Sequence, residues 1–255
     1  MDMTSSDLAD APSCPYPSHP PPVDVPMETP PARACPYLPN REATLRGFAV
    51  GRLPGSLYHE FLNAGFRRTG KVIYQPVCRG CRMCVPIRIP VAEFVPTKSL
   101  RRCRRRNSDL HVAVDAPRLT DEKTALYRSY IAQRHQRPPS ETEDDDSPQE
   151  FLYRSPVRTV EFTYRIGDGG PLVAVGICDA CPQSISSVYF YFDPNESRRS
   201  LGNFGALVEI DYARRLRIPY WYLGYWVKGC RAMEYKANFR PHELLHPDGV
   251  WRREN

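Results

Sequence analysis

The chain has 255 residues, 41% of them apolar and 25% charged, which places it in the ordinary globular range with enough chain to bury a core. The net charge is +6, and five acids against Arg33 give residues 1–34 a balance of −4, so the remainder carries +10 and calls for a polyanionic partner. No apolar run approaches the roughly 20 residues of a bilayer span, and the acidic start from Met1 to Asp10 lacks the apolar stretch of a secretory signal.

Residues 1–33, with Pro20, Pro21 and Pro22 together and no apolar period, read as a disordered proline-rich leader. A region with a cysteine loop and a basic run follows over 34–115. In it, Ser56 reads as the N-cap of a helix carrying Leu57, Phe61 and Leu62, closed by Gly65. Lys71 to Val77 and Val85 to Ile89 read as strands around the cysteine loop, and Leu110 to Val114 as a third. A second region spans 116–255. Thr120 caps a helix with Asp121 and Glu122 in its first turn, and Leu126, Tyr127, Tyr130 and Ile131 form its apolar face. The acidic run Glu141 to Asp146 reads as a mobile loop or a solvated insertion. Val157 to Ile166 and Leu172 to Ile177 form a hairpin, Ile185 to Phe192 a further strand, and Arg198 to Gly202 leads into a helix with Leu207 and Ile210 on one face. Pro219 to Trp226 is the next strand. This order predicts an α+β fold with a mixed or antiparallel sheet.

Cys78, Cys81 and Cys84 place three thiols on one turn, where they can converge on a metal, and Cys35 is the best fourth ligand. Zinc, an iron–sulfur cluster and plain free thiols all remain open at this point. Nine cysteines without an export signal also indicate a reducing, cytoplasmic setting. The Cys178-x-x-Cys181 pair reads as ordinary thiols.

Lys98 to Arg106 carries six cations in nine residues. On a helix, Lys98, Arg101, Arg102 and Arg105 share a face suited to RNA phosphates, and Arg67 and Arg68 add to that charge. Arg199, Ser200, Leu201 and Gly202 form a strand-to-helix junction whose backbone N–H groups suit a phosphate or a developing oxyanion. Tyr220, Trp221, Tyr222, Tyr225 and Trp226 alternate, so one set is core and the other lines a groove suited to an adenine or an apolar aminoacyl chain. The six histidines, His19, His59, His111, His135, His242 and His246, fall in no nucleophilic triad spacing.

Taken together, Cys35-Pro-Tyr-Leu38, Gly65 to Gly70, Tyr74 to Arg88, Lys98 to Arg102, Asn107 to Leu110, Val188 to Pro194, Arg199 to Gly202, Tyr222 to Trp226, Tyr235-Lys236 and Phe239-Arg240-Pro241 resemble the bacterial aspartate/glutamate leucyltransferases. Those are relatives of eukaryotic arginyl-tRNA–protein transferases. The resemblance implies a C-terminal domain similar to the Gcn5-related N-acetyltransferases after a small α/β region. It also implies an aminoacyl-tRNA donor, an acceptor protein with N-terminal Asp or Glu that is marked for degradation, and an iron–sulfur site on Cys35, Cys78, Cys81 and Cys84. The chemistry itself requires no cofactor. Ser200, Tyr225 and Lys236 are the catalytic candidates, and Arg88, Lys236 and Arg240 the candidates for the acceptor carboxylate. An arginyl donor and a coenzyme A-dependent N-acetyltransferase, with the glycine junction holding pyrophosphate, are the alternatives; a non-catalytic metal-containing RNA-binding module is a third.

Overall fold

β-Branched and aromatic runs build most of the molecule, and a single helical crossover decides how its main sheet is arranged. The computed structural model describes residues 19–134 and 148–254. In chain order it contains β1 (Arg33–Ala34), β2 (Glu42–Ala43), β3 (Leu45–Ala49), α1 (Gly55–Asn63), β4 (Arg67–Thr69), β5 (Val72–Pro76), β6 (Val85–Pro90), α2 (Lys98–Arg106), β7 (Leu110–Asp115) and α3 (Asp121–Arg134). A π-helical turn (Gln149–Tyr153) leads to β8 (Thr159–Ile166), β9 (Leu172–Ala180) and β10 (Ser184–Phe192). A 3₁₀ segment (Pro194–Arg199) precedes α4 (Leu201–Arg215), β11 (Tyr220–Trp226), α5 (Arg231–Glu234), the 3₁₀ turn Tyr235–Asn238, β12 (His242–Leu245) and β13 (Trp251–Glu254).

Eight strands form one sheet in the order β13-β12-β6-β11-β10-β9-β8-β7, and β3, β5 and β4 form a smaller one. The mixed sheet expected from the element order is present. Within the large sheet only β10 and β11 run parallel, over Ser184↔Tyr220 to Ser186↔Tyr222, with α4 as the crossover that such a pair requires. The N-terminal strand β6 lies between β12 and β11, so both halves of the chain contribute to one sheet.

Both parallel partners bulge just past their short ladder. β10 shifts register against β9 between Ser187 and Tyr189, and β11 against β6 between Tyr222 and Tyr225. The second bulge centres on Gly224, whose φ of 84° lies in the left-handed region that a side chain resists. Trp221 and Leu223 therefore join the core under α4. Tyr222 instead packs with Tyr58, Phe61, Leu62 and Phe66 from the α1 side. A third cluster sets Tyr127 and Tyr130 of α3 against Val175, Ile177 and Tyr191. On the other face α4 sits so close to β10 that a Cβ on Gly205 would lie 2.2 Å from the Phe190 ring, so only glycine fits there.

Several local expectations change. α1 begins at Gly55, with Pro54 rather than Ser56 at the N-cap position and no side-chain cap bond. Thr120 does cap α3, its hydroxyl accepting from the Lys123 N–H at 3.3 Å. Residues 19–33 of the expected leader run along the body: Glu28 exchanges backbone bonds with Gly47, and the His19 carbonyl accepts from Gln75. The earlier part of the leader and the acidic run 141–146 lie outside the described residues.

Arg68 corrects one assignment outright. Rather than facing RNA, it is fully buried and bidentate to Asp179, with both bonds at 2.7 Å and 0% side-chain exposure for each partner. Thr159 donates a further bond to that carboxylate at 2.9 Å. Arg68→Met leaves Asp179 buried and unpaired, and should destabilise the fold by about 3–5 kcal/mol in urea titration. Adding Asp179→Leu to Arg68→Met should recover most of that loss.

Candidate active site

Where the β10–β11 ladder stops, two cations from distant segments take over its carbonyls. Arg67, placed by β4, donates from Nη2 to the Ser187 carbonyl at 2.7 Å. Lys236, in the 3₁₀ turn after α5, donates from Nζ to the Tyr225 carbonyl at 2.8 Å. A Cβ on Gly224 would stand 3.4 Å from Lys236 Nζ and 3.6 Å from Arg67 Nη2, so both cationic ends border the same point. Each residue is more than nine-tenths buried. Among the described residues neither forms an ion pair, and Arg67 Nη1 has no hydrogen-bond partner. Burial, reinforced by the Arg67 charge, lowers the Lys236 ammonium to about 7, so near neutrality it exists in both protonation states.

Of the catalytic candidates, Tyr225 and Lys236 meet directly; the Tyr225 hydroxyl donates to the Gly65 carbonyl at 3.0 Å. Ser200 belongs to another neighbourhood. It is the N-cap of α4, with φ 56° and no side-chain cap bond, and its carbonyl accepts from Asn203 and Phe204. The Arg199 guanidinium is held by two carboxylates, Asp109 at 2.8 Å and Glu196 at 2.6 Å, and Leu201 is buried in the core. Their side chains therefore build the junction, and its offering to a donor end is the N–H groups of the first turn at Leu201 and Gly202.

The basic helix lies against that junction. α2 buries Leu100 and Cys103. The Asn107 side-chain amide donates to the Arg199 carbonyl at 2.9 Å, Arg106 bonds the Arg198 carbonyl, and Arg104 pairs with Asp211 of α4 at 2.8 Å. Lys98, Arg101, Arg102 and Arg105 are all exposed, as a helical reading of the run predicts. Two features that were separate in sequence thus form one surface.

Arg88 is corrected as an acceptor ligand. It donates to Glu243 at 2.6 Å, to Asn63 at 2.8 Å and to the Tyr222 hydroxyl at 3.1 Å, and is sandwiched between the Tyr220 and Trp251 rings at 4.0 and 4.3 Å. With Nε and Nη1 bonded and both faces covered, it ties β6, β11 and β12 to α1. Tyr222 is filled by the same packing and lines no groove for an aminoacyl chain. Arg240 is exposed, four residues beyond Lys236, and donates to the Ala237 carbonyl at 3.4 Å. Spacing also concealed His59, whose Nδ1 lies 3.0 Å from the Ser184 hydroxyl. Both side chains are buried, which makes the pair a packing bond rather than a nucleophile.

Cys35, Cys78, Cys81 and Cys84 line one cavity of about 80 Å³ with Tyr37, Tyr74 and Tyr225. A turn brings the Cys81 N–H to the Cys78 carbonyl at 3.3 Å, and the Thr44 N–H points at the Cys78 sulfur at 3.4 Å. Burial first, then the neighbouring sulfurs, push the Cys84 thiol up to about 12. Among the described residues no three side chains of His, Cys, Asp or Glu are arranged to hold a metal ion as they stand. Four soft donors on one wall fit zinc or an iron–sulfur cluster in kind, and converging on either requires the loop to close further.

A mixed sheet with one short parallel ladder, a cationic helix against a helix N-terminus and two buried cations suit a transferase that handles an anionic donor. The sequence description "Arginine-tRNA-protein transferase, N terminus" matches residues 33–102, and "Arginine-tRNA-protein transferase, C terminus" matches residues 122–246. The chain belongs to this family and is an aminoacyltransferase. It is 41% identical over 221 residues to the aspartate/glutamate leucyltransferase of Halorhodospira halophila, covering 86% of this chain and 93% of that one. It is 38% identical over 219 residues to the enzyme so named from Hahella chejuensis, again covering 86% and 93%. Among solved structures, the C-terminal domain of a putative lysylphosphatidylglycerol synthetase from Agrobacterium fabrum superimposes with a TM-score of 0.50 at 15% identity, covering 81% of this chain and 65% of that one; this is a likeness of fold. No helix among the described residues is long and apolar enough to cross a membrane.

Glu209 of α4 underlies the β10 bulge, fully buried, with the Trp221 indole donating to it at 2.9 Å and the Cys178 and Ser187 side chains beside it. Burial raises its carboxyl from 4.5 to about 7. The folded state therefore binds the extra proton, so the stability this provides is complete below 4.5 and is lost as pH rises through 7. Urea titrations should show stability falling across that window by at most about 1.4 kcal/mol per pH unit. Glu209→Gln should flatten the slope.

Proposed function

We propose that the protein moves leucine from leucyl-tRNA to the N-terminal Asp or Glu of acceptor proteins, marking them for degradation in the cytoplasm. The observation that carries this reading is the near-complete, roughly 40% identity with aspartate/glutamate leucyltransferases, whose own length the chain covers almost entirely. Attack of an α-amine on an aminoacyl ester is downhill, so no covalent intermediate is required. The acceptor amine has an ordinary pKa of about 7.7–8.0 and must arrive neutral or lose its proton in place. Lys236, titrating near 7, takes that proton, held towards the site by the Tyr225 carbonyl. The exposed cations Lys98, Arg101, Arg102 and Arg105 hold donor phosphates, and the N–H groups at Leu201 and Gly202 face the ester end. Alignment of amine and ester supplies most of the acceleration, on the order of 7–11 kcal/mol for well-oriented partners.

The opening between β10 and β11, with a helix N-terminus beside it, supports an architecture similar to the Gcn5-related N-acetyltransferases. We retain residues 34–115 and 116–255 as two functional regions that share a sheet, the first supplying the RNA-facing helix and cysteine loop and the second the acyl-transfer centre. Cys35, Cys78, Cys81 and Cys84 would hold zinc or an iron–sulfur cluster, which would lock the loop between β5 and β6; no transfer step passes through it. Metal analysis of anaerobically purified protein should find iron or zinc, lost in Cys78→Ser with Cys81→Ser, and metal-free protein would remove this assignment.

Incubation with radiolabelled leucyl-tRNA and peptides beginning Asp or Ala should label the Asp peptide alone, and arginyl-tRNA should give no product. Label from arginyl-tRNA instead would reassign the donor. Replacing Lys98, Arg101, Arg102 and Arg105 by alanine should weaken leucyl-tRNA binding and flatten its dependence on salt by about one unit of log–log slope per lost phosphate contact.

A further inference from the structure

Arg67 places a guanidinium in the interior with a donor left over. Its Nη2 satisfies the Ser187 carbonyl, while Nη1 is buried without a hydrogen-bond partner. No acid pairs with it among the described residues, and the groups nearest its charge include the phenols of Tyr37, Tyr58 and Tyr74, which burial keeps neutral. The contrast with the other two deeply placed arginines is sharp. Arg68 next to it is saturated by Asp179, and Arg88 by Glu243, Asn63 and Tyr222. A buried cation without a counter-charge is costly, and each of the other two has a carboxylate partner while Arg67 has none among the described residues.

We propose that Arg67 binds the side-chain carboxylate of the acceptor's N-terminal Asp or Glu through Nη1 and thereby sets the preference for an acidic first residue. This rests on the transferase reading above and names the specificity group of that same site. Nη1 supplies N–H donors and the ligand a carboxylate, giving a charge-assisted bond in a dry setting. In an N-terminal Asp or Glu the carboxylate and the α-amine lie a few bonds apart on one residue. Arg67 and Lys236 stand together on the Gly224 side of the split, one for each group. A side chain at Gly224 would come into contact with both cationic ends. A neutral Asn or Gln at the acceptor terminus fills the same volume yet leaves Arg67 unpaired, so the site rejects it.

The test compares full-length wild type, Arg67→Gln and Arg67→Lys with peptides beginning Asp, Asn and Ala. Arg67→Gln should lower kcat/KM for the Asp peptide by on the order of 100-fold and for the Asn peptide by far less, so that the Asp-over-Asn preference collapses. Arg67→Lys should keep part of that preference, which a purely structural role would not do. Equal losses with both peptides in Arg67→Gln and in Arg67→Lys, or an unchanged preference, overturn the proposal. So does a rise in KM for leucyl-tRNA with selectivity intact, which would return Arg67 to the RNA side. Calorimetry of the Asp and Asn peptides against tRNA-free protein separates the two levels of the argument. If wild type transfers no leucine yet binds the Asp peptide in an Arg67-dependent way, the donor assignment fails and the carboxylate site stands; equal binding of both peptides ends it.

Discussion

The short parallel ladder between β10 and β11 is the constraint on which the rest depends. Three residue pairs hold the two strands together, and then both strands bulge. Beyond that point the exposed lips of the sheet carry carbonyls that need donors in a place with little water. The chain supplies them as cations, Arg67 on one lip and Lys236 on the other. Neutral donors would close the split equally well in hydrogen-bond terms. Charged ones leave it with a positive interior, the surplus on which the proposed selectivity rests.

A split sheet needs support from both faces, and the supports are what place the remaining parts. On one side α4 is pressed onto β10 at Gly205 and fixed by the Glu209 bond to Trp221, which holds its N-terminus in place. The turn before that N-terminus has its carbonyls taken by Asn107 and by Arg106 of α2, so the cationic helix is tied to the junction it flanks. On the other side α1 and the small sheet bring in β4, and with it Arg67. The Arg68–Asp179 pair, one residue away, pins that strand to β9 and so fixes where Arg67 points. The adjacent arginines thus divide the work: one anchors the strand, and its neighbour faces the split from the position this gives.

Much of this architecture could be read from periodicity. α1, α3, the hairpin of β8 and β9, and strands β5, β6, β7, β10 and β11 all follow runs that alternate or repeat every turn, with glycines and prolines at their ends. The exposed face of α2 was also legible, because six cations leave only Leu100 and Cys103 to bury. What stayed hidden depends on contacts between distant residues. Asp179 lies more than a hundred positions from Arg68, and Glu243 further still from Arg88, so nothing local separates those arginines from solvated ones. The short strands β4, β12 and β13 are too brief to carry a period. The bulge at Gly224 breaks simple alternation after Leu223, so that Trp226 packs on the core under α4, and the face holding Tyr222 is filled by residues from the α1 side that lie far away in sequence. Family resemblance supplied the function, and could not say which cations were free.

The two cationic regions also obey different electrostatics. On α2 the charges stand in water, where ions at physiological strength screen them beyond about 8 Å, so their hold on a polyanion is broad, fast and sensitive to salt. At the split, Arg67 and Lys236 are almost out of reach of solvent, where a charge interacts strongly with whatever occupies the space and mobile ions do little to weaken it. A macromolecular donor with many phosphates suits the first regime, since no single contact must be exact. One carboxylate beside one amine suits the second, since selectivity between an acid and its amide comes from a desolvated charge left paired or unpaired. The fold keeps these regimes apart by sheet topology: the exposed cationic helix rides on α4, and the buried cations enter from β4 and from the turn after α5.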